Sequence, residues 1–142
     1  MERIVYLERE SIIADVRRPA FAHAWIEHPM SLQAEVELRL AEATIAIVNK
    51  VQIDAGMISR LPQLKMVAVA ATGTNNVDLE ACRARGIVVS NIRGYAVHTV
   101  PEHAIALMLA LSRNLIAYRE SVQAGRWQQS EQFCFFDHPI RD

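Results

Sequence analysis

The chain has 142 residues, 51% hydrophobic and 22% charged, and its 15 basic and 16 acidic side chains leave a net charge of −1. That length fits one domain, or one domain plus part of another; the apolar content supports a core, and the balanced charge excludes the basic excess expected of a nucleic-acid or membrane-surface binder. Two cysteines, Cys82 and Cys134, are too few for a disulfide-stapled secreted fold and fit a reducing cytoplasm, the apolar stretch near the N-terminus is too short for a signal peptide, and the longest apolar run, residues 104–111, falls far below a membrane span.

Residues 3–7 (RIVYL) read as a first strand. A polar, irregular segment containing Pro19 follows, and residues 25–27 form a short second strand. Ser31 opens a helical stretch, SLQAEVELRLAEA, with Ser31 as its cap and Leu32, Val36, Leu40 and Ala43 near a helical period. Residues 44–48 (TIAIV) are a compact apolar strand, and Asp54 caps a short helix stopped by Pro62. Residues 66–71 (MVAVAA) form the next strand, Asp78 caps LEACRARG with Gly86 at its end, and residues 87–90 return to strand. Strands this apolar belong to a parallel sheet covered by helices on both sides, and their alternation with helices predicts a doubly wound α/β domain.

The last helix differs. Thr99 and Glu102 read as a capping box, with Pro101 tolerated in the first turn. The helix runs to about Ala124, with Gly125 as its stop, which is roughly 37 Å at 1.5 Å per residue. Its first half is apolar all round, so a second domain or a partner subunit is expected to bury it. A segment with Phe133, Phe135 and Phe136 follows, without a period of its own.

Three segments can carry chemistry. Residues 71–78 (ATGTNNVD) sit between an apolar strand and a helix, where open α/β sheets bind ligands. Gly73 permits close backbone approach, and successive amides in such a turn form an anion nest suited to a carboxylate. The same pattern describes an ordinary strand-to-helix turn, and a flavin-phosphate loop stays open too, although in flavodoxins that loop follows the first strand. Asn49 and Lys50 leave the preceding strand on the same sheet edge, where Lys50 is either an anion partner or a solvated surface lysine. Residues 91–98 lead into the last helix, whose free amides at Thr99 and Val100 either face a cofactor or simply start a helix. The five histidines are dispersed, no Cys/His spacing matches a zinc site, and no metal is expected.

Taken together, NK(V), LPxLK, ATGTNNVDLEACRARGIVVSN, GYxVxTVPEH and ALxLALSRN resemble the D-isomer-specific 2-hydroxyacid dehydrogenases, in particular their glycerate dehydrogenase (hydroxypyruvate reductase) branch. The resemblance runs over nearly the whole chain, and its one local departure is Pro101 where the usual motif has alanine. It implies a flavodoxin-like substrate domain at residues 1–98. Residues 99–142 are then a crossing helix and arm leading into a Rossmann-type domain that binds NAD or NADP. By position, Thr72 and Gly73 match the loop whose amides hold the substrate carboxylate. Asn49 and Lys50 match a loop bordering the substrate, and Thr99 and Val100 touch the nicotinamide end of the cofactor. The partners implied are a small 2-hydroxy or 2-oxo acid and a second copy of the chain, through the helix at 100–124 and the arm at 126–142.

The family's G-x-G-x-x-G does not occur in these 142 residues. Its ribose-binding acid is missing as well, with the substrate-orienting Arg, the general acid/base His and the supporting Glu. No catalytic residue is therefore assigned, and the chain reads as a front fragment, inactive alone. A non-enzymatic ligand-binding or corepressor-like relative of the same fold remains the alternative, and a flavodoxin-like electron carrier a third.

Overall fold

In the computed structural model, residues 1–131 are described. The elements alternate from the first strand onward: β1 (Glu2–Tyr6), β2 (His23–Glu27), α1 (Gln33–Leu40), β3 (Ile45–Val48), α2 (Ala55–Arg60), β4 (Met66–Val69), α3 (Leu79–Ala84) and β5 (Val88–Asn91). The strands form one five-stranded sheet in the order β2-β1-β3-β4-β5, and every pairing is parallel. The parallel strand order is that of the doubly wound α/β domain expected from the alternation, in the flavodoxin-like form that the family resemblance implied. α4 (Thr99–Ser112), α5 (Leu115–Gln123) and α6 (Arg126–Gln129) follow. The chain divides into two compact units, Met1–Gly94 and Tyr95–Asp142.

Side chains alternate across each strand, so one face collects Val5, Leu7, Ala46, Val48, Val67 and Val69. Val36 and Leu40 of α1, Ile58 of α2 and Cys82 of α3 close over that face as one core. Burial there pushes the Cys82 thiol above its ordinary range. The other face carries Ile4, Tyr6, Ile45, Ile47, Met66, Ala68, Val88 and Ser90. Ile4 and Tyr6 are buried, but cover thins across the sheet until Val88 is 59% exposed. Helices on both sides were expected. Within this unit the link from β1 to β2 holds only a single 3-10 turn, Arg9–Ser11, so no α-helix returns over the second face there.

The short helices start where the sequence places caps. The Asp54 carboxylate accepts from the Met57 amide at 2.7 Å, and that of Asp78 from the Ala81 amide at 2.9 Å. Gly86 takes φ +68°, the left-handed conformation that ends α3 and turns the chain into β5.

Three expected helix features differ. Ser31 does not cap α1: its hydroxyl donates to the Leu7 carbonyl at 2.5 Å, and Glu35 instead accepts the Leu32 amide at 2.9 Å. The buried end of β1 claims the serine, because a carbonyl left there without a donor is costly. Thr99 is the first residue of α4 and not its cap, since residue 98 precedes it in helical geometry. The Val100 amide donates to Ala96 and that of Glu102 to His98, so the turn before the helix already supplies the acceptors and no capping box forms. The long helix is also interrupted. Asn114 adopts φ 51°, and asparagine is among the few residues that enter the left-handed region readily. α4 therefore stops at Ser112 and α5 begins at Leu115. Gly125, at φ +77°, ends the second segment as expected. Of the aromatic arm at 126–142, residues 132–142, with Phe133, Phe135 and Phe136, lie outside the described residues.

Candidate functional site

A parallel sheet brings the ends of all its strands to one edge, and the candidate residues of the first unit gather there. Asn49 and Lys50 follow β3, while Thr72 and Gly73 follow the neighbouring β4, whose register sets Val48 beside Val69. The two loops are bound to each other. Ile53 and Val77 form a parallel bridge, flanked by the Ile53 amide on Asn76 O at 2.8 Å and the Asp78 amide on Ile53 O at 3.0 Å. Asn76 is only 6% exposed, and its side-chain amide donates to Val51 O at 3.0 Å and to Asn49 O at 3.3 Å. From the other side, Asn91 at the end of β5 donates to Thr72 O at 2.6 Å, and the Ile92 amide donates to Ala71 O at 3.0 Å.

These bonds occupy the carbonyls of Ala71, Thr72 and Asn76 but leave a run of the loop's amides unused. Among the described residues, the backbone amides of Thr72, Gly73, Thr74 and Asn75 donate to no protein acceptor. Thr72, Gly73 and Asn75 are exposed. A row of unpaired N–H groups at the carboxyl edge of a parallel sheet is what a small anion needs. Gly73 does not lie in the left-handed region, so a positive φ is not its reason. What it leaves is room: an added Cβ would meet only the Asn75 side-chain oxygen, at 3.1 Å.

The β3 loop is the opposite case. The amides of Asn49, Lys50 and Val51 all point at one oxygen of Glu8, at 2.7, 2.8 and 3.2 Å. Glu8 is 8% exposed. Main-chain donors at Asn49 and Lys50 are thus taken by the protein itself, and only the side chains remain for a ligand. The exposed Lys50 side chain makes no ion pair among the described residues. Glu8 was not singled out from the sequence, and Asn76 entered only as part of the turn at 71–78, without a role of its own. The one local sign of Glu8 is an acid placed directly after a fully buried strand end.

Thr99 and Val100 lie in the second unit, both exposed, in the first turn of α4. The Val100 amide is used by Ala96 O at 3.3 Å, whereas the Thr99 amide and hydroxyl have no partner among the described residues. Thr99 therefore fits a polar contact to a cofactor, and Val100 only an apolar one. Neither supplies a phosphate loop.

On the second face of the sheet, a groove of about 230 Å³ is lined by Tyr6, Ile12, Val16, Ile47, Ala68 and Ser90, among others. It includes none of the six predicted residues. The Tyr6 hydroxyl is buried without a partner among the described residues, and burial pushes the phenol above its ordinary range. No group of three metal-binding side chains occurs among the described residues, and no helix there is long and apolar enough to cross a membrane.

Comparison with known proteins adds a family match, one relative and two superposable structures. Residues 7–134 match the family described as D-isomer specific 2-hydroxyacid dehydrogenase, catalytic domain. The glycerate dehydrogenase of Methylorubrum extorquens is 48% identical over 142 residues, which are 99% of this chain and 45% of that protein. The chain thus spans less than half the length of that relative. Among solved structures, an acyclic imino acid reductase in complex with NADPH and D-Arg superposes with a TM-score of 0.72 at 21% identity, over 98% of this chain and 44% of its own. The NADPH-dependent glyoxylate/hydroxypyruvate reductase of Sinorhizobium meliloti in complex with citrate gives 0.67 at 22%, over 99% and 44%. At such identities the superpositions carry the fold alone.

Proposed function

The chain belongs to the D-isomer-specific 2-hydroxyacid dehydrogenases, whose catalytic domain it matches over most of its length, and from that premise we propose that it supplies the carboxylate cradle of an enzyme interconverting a D-2-hydroxy acid and a 2-oxo acid of the glycerate and hydroxypyruvate type. The observation that carries this reading is the run of unpaired amides at residues 72–75. A carboxylate set there accepts several N–H groups at once and holds the reacting carbon at a constant position. The exposed Lys50 side chain adds positive charge at the same edge, and Asn49 borders the site.

Residues 1–98 form the substrate-binding part in this reading, and residues 99–142 the helical crossing and arm. NAD or NADP supplies the hydride. Thr99 and Val100 contact its nicotinamide end, and the binding of its phosphates falls to residues other than these. The 142-residue chain alone is expected to show no hydroxypyruvate-dependent oxidation of NADH or NADPH. Measurable turnover by the purified chain would overturn that assignment of parts.

The cradle itself is tested by binding. Titration of the ¹⁵N-labelled chain with hydroxypyruvate or D-lactate is expected to move the amide resonances of Thr72, Gly73, Thr74 and Asn75 together. Resonances that stay fixed at saturating acid would remove the carboxylate reading.

We also propose that α4 is a contact surface for a second copy of the chain. Val100, Ile105, Leu107, Met108, Leu109 and Leu111 are all at least 50% exposed, and α4 has no buried residue. A continuous apolar surface of this kind marks an interface. Light scattering is expected to show a dimer that Leu107→Glu with Met108→Glu dissociates; a strictly monomeric native chain at high concentration contradicts it.

A further inference from the structure

The two neighbouring loops at the sheet edge each carry a row of amides, yet they are in different states, and Glu8 makes the difference. Three successive amides converging on one carboxylate oxygen form an anion nest, and in the β3 loop the anion is the chain's own side chain. We propose that Glu8 is a specificity-determining residue. Its carboxylate fills the β3-loop nest as a built-in anion, so the edge accepts one ligand anion, at residues 72–75, and turns away acids that carry a second. The proposal rests on the carboxylate reading of residues 72–75.

The geometry makes the two nests neighbours. β3 and β4 are adjacent in the sheet, with strand axes about 4.8 Å apart. Asn76 ties the β4 loop to the carbonyls of Asn49 and Val51. The far end of a short acid anchored on the β4 loop therefore comes beside residues 49–51. Donors left free there would take a second carboxylate or a phosphate. Glu8 occupies all three and adds a negative charge of its own, which disfavours a second anion strongly because the carboxylate is largely removed from water. Lys50 does not reverse this: its ammonium is exposed, and a solvated point charge on a flexible stem attracts weakly.

The probes are D-lactate with one carboxylate, D-malate with two, and inorganic phosphate, titrated into the ¹⁵N-labelled chain at neutral pH. For the native chain, D-malate is expected to bind at least about tenfold more weakly than D-lactate, with the amides of Asn49, Lys50 and Val51 unmoved. In Glu8→Ala the malate-to-lactate affinity ratio is expected to rise by about tenfold or more, and phosphate is expected to shift the three freed amides. Glu8→Gln keeps an acceptor oxygen on the nest without its charge, and should raise the ratio with the loop intact if the alanine variant unfolds. A ratio unchanged in the folded variants would overturn the proposal. If D-lactate moves nothing at residues 72–75 in the native chain, the carboxylate reading fails by itself. The nest is then judged by phosphate at residues 49–51 of Glu8→Ala, where no shift overturns it as well.

Discussion

Gly73→Ala is expected to weaken D-lactate and hydroxypyruvate binding by at least about tenfold, or about 1.4 kcal/mol, while the chain keeps its fold. The folded state tolerates the methyl group for two reasons. The backbone at Gly73 is outside the left-handed region, and the added Cβ meets only the end of the Asn75 side chain, which can rotate away. Replacing glycine in a compatible conformation also lowers the entropy of the unfolded chain, worth about 0.4–1 kcal/mol. Stability should therefore change by less than about 1 kcal/mol. An anion held by consecutive amides at about 2.9 Å rests against the α-carbons between them, where a methyl group intrudes. Calorimetric titration beside urea denaturation separates the two effects. An alanine variant that binds like the native chain would take Gly73 out of the cradle; one that unfolds would show that its role is structural.

Asn76→Ala should cost about 2 kcal/mol of stability and the larger part of the binding. The buried side-chain amide is the only side-chain donor from the β4 loop to the β3 loop among the described residues, and it serves two carbonyls. Alanine leaves those carbonyls without it in a place that water reaches poorly, and it frees the β4 loop from one of its anchors. Asn76→Asp should be worse, about 3 kcal/mol, because a carboxylate offers carbonyls no proton and brings an unpaired charge into a buried site. Urea denaturation of both variants measures this. An aspartate variant as stable as the native chain would mean that the loops are held by the Ile53–Val77 bridge alone.

The parts of the fold that were legible in the sequence are local. Short β-rich apolar runs located each strand to within a residue or two, and Asp54, Asp78 and Gly86 bounded the helices they flank, because a cap and its helix are only three residues apart. Family membership was legible for another reason: the motifs over residues 49–114 are individually weak but specific in combination. The turn at residues 71–78 could be picked out because ligands bind at the carboxyl edge in open sheets of this class, and the family resemblance narrowed it to Thr72 and Gly73.

Local reading went astray for two reasons, a distant partner in one case and a single backbone conformation in the other. Ser31 had the chemistry of a cap, but the Leu7 carbonyl, 24 residues away, took its hydroxyl. The helix after Thr99 read as continuous to about Ala124, yet Asn114 enters a conformation open to few other residues and divides it.

Neighbouring residues alone are enough for the alternation of strands and short helices, the caps at Asp54 and Asp78, the family, and the loop after β4 as the place to look. Only the tertiary structure decided which amides at that edge are free. Glu8 lies 41–43 residues from the amides it occupies, and Asn76 lies 25–27 residues from the carbonyls it serves. Such pairings exist only once parallel register has brought β1, β3 and β4 side by side. Two similar-looking loops thereby acquire opposite electrostatic states, one closed by the protein's own carboxylate and one with its donors unpaired.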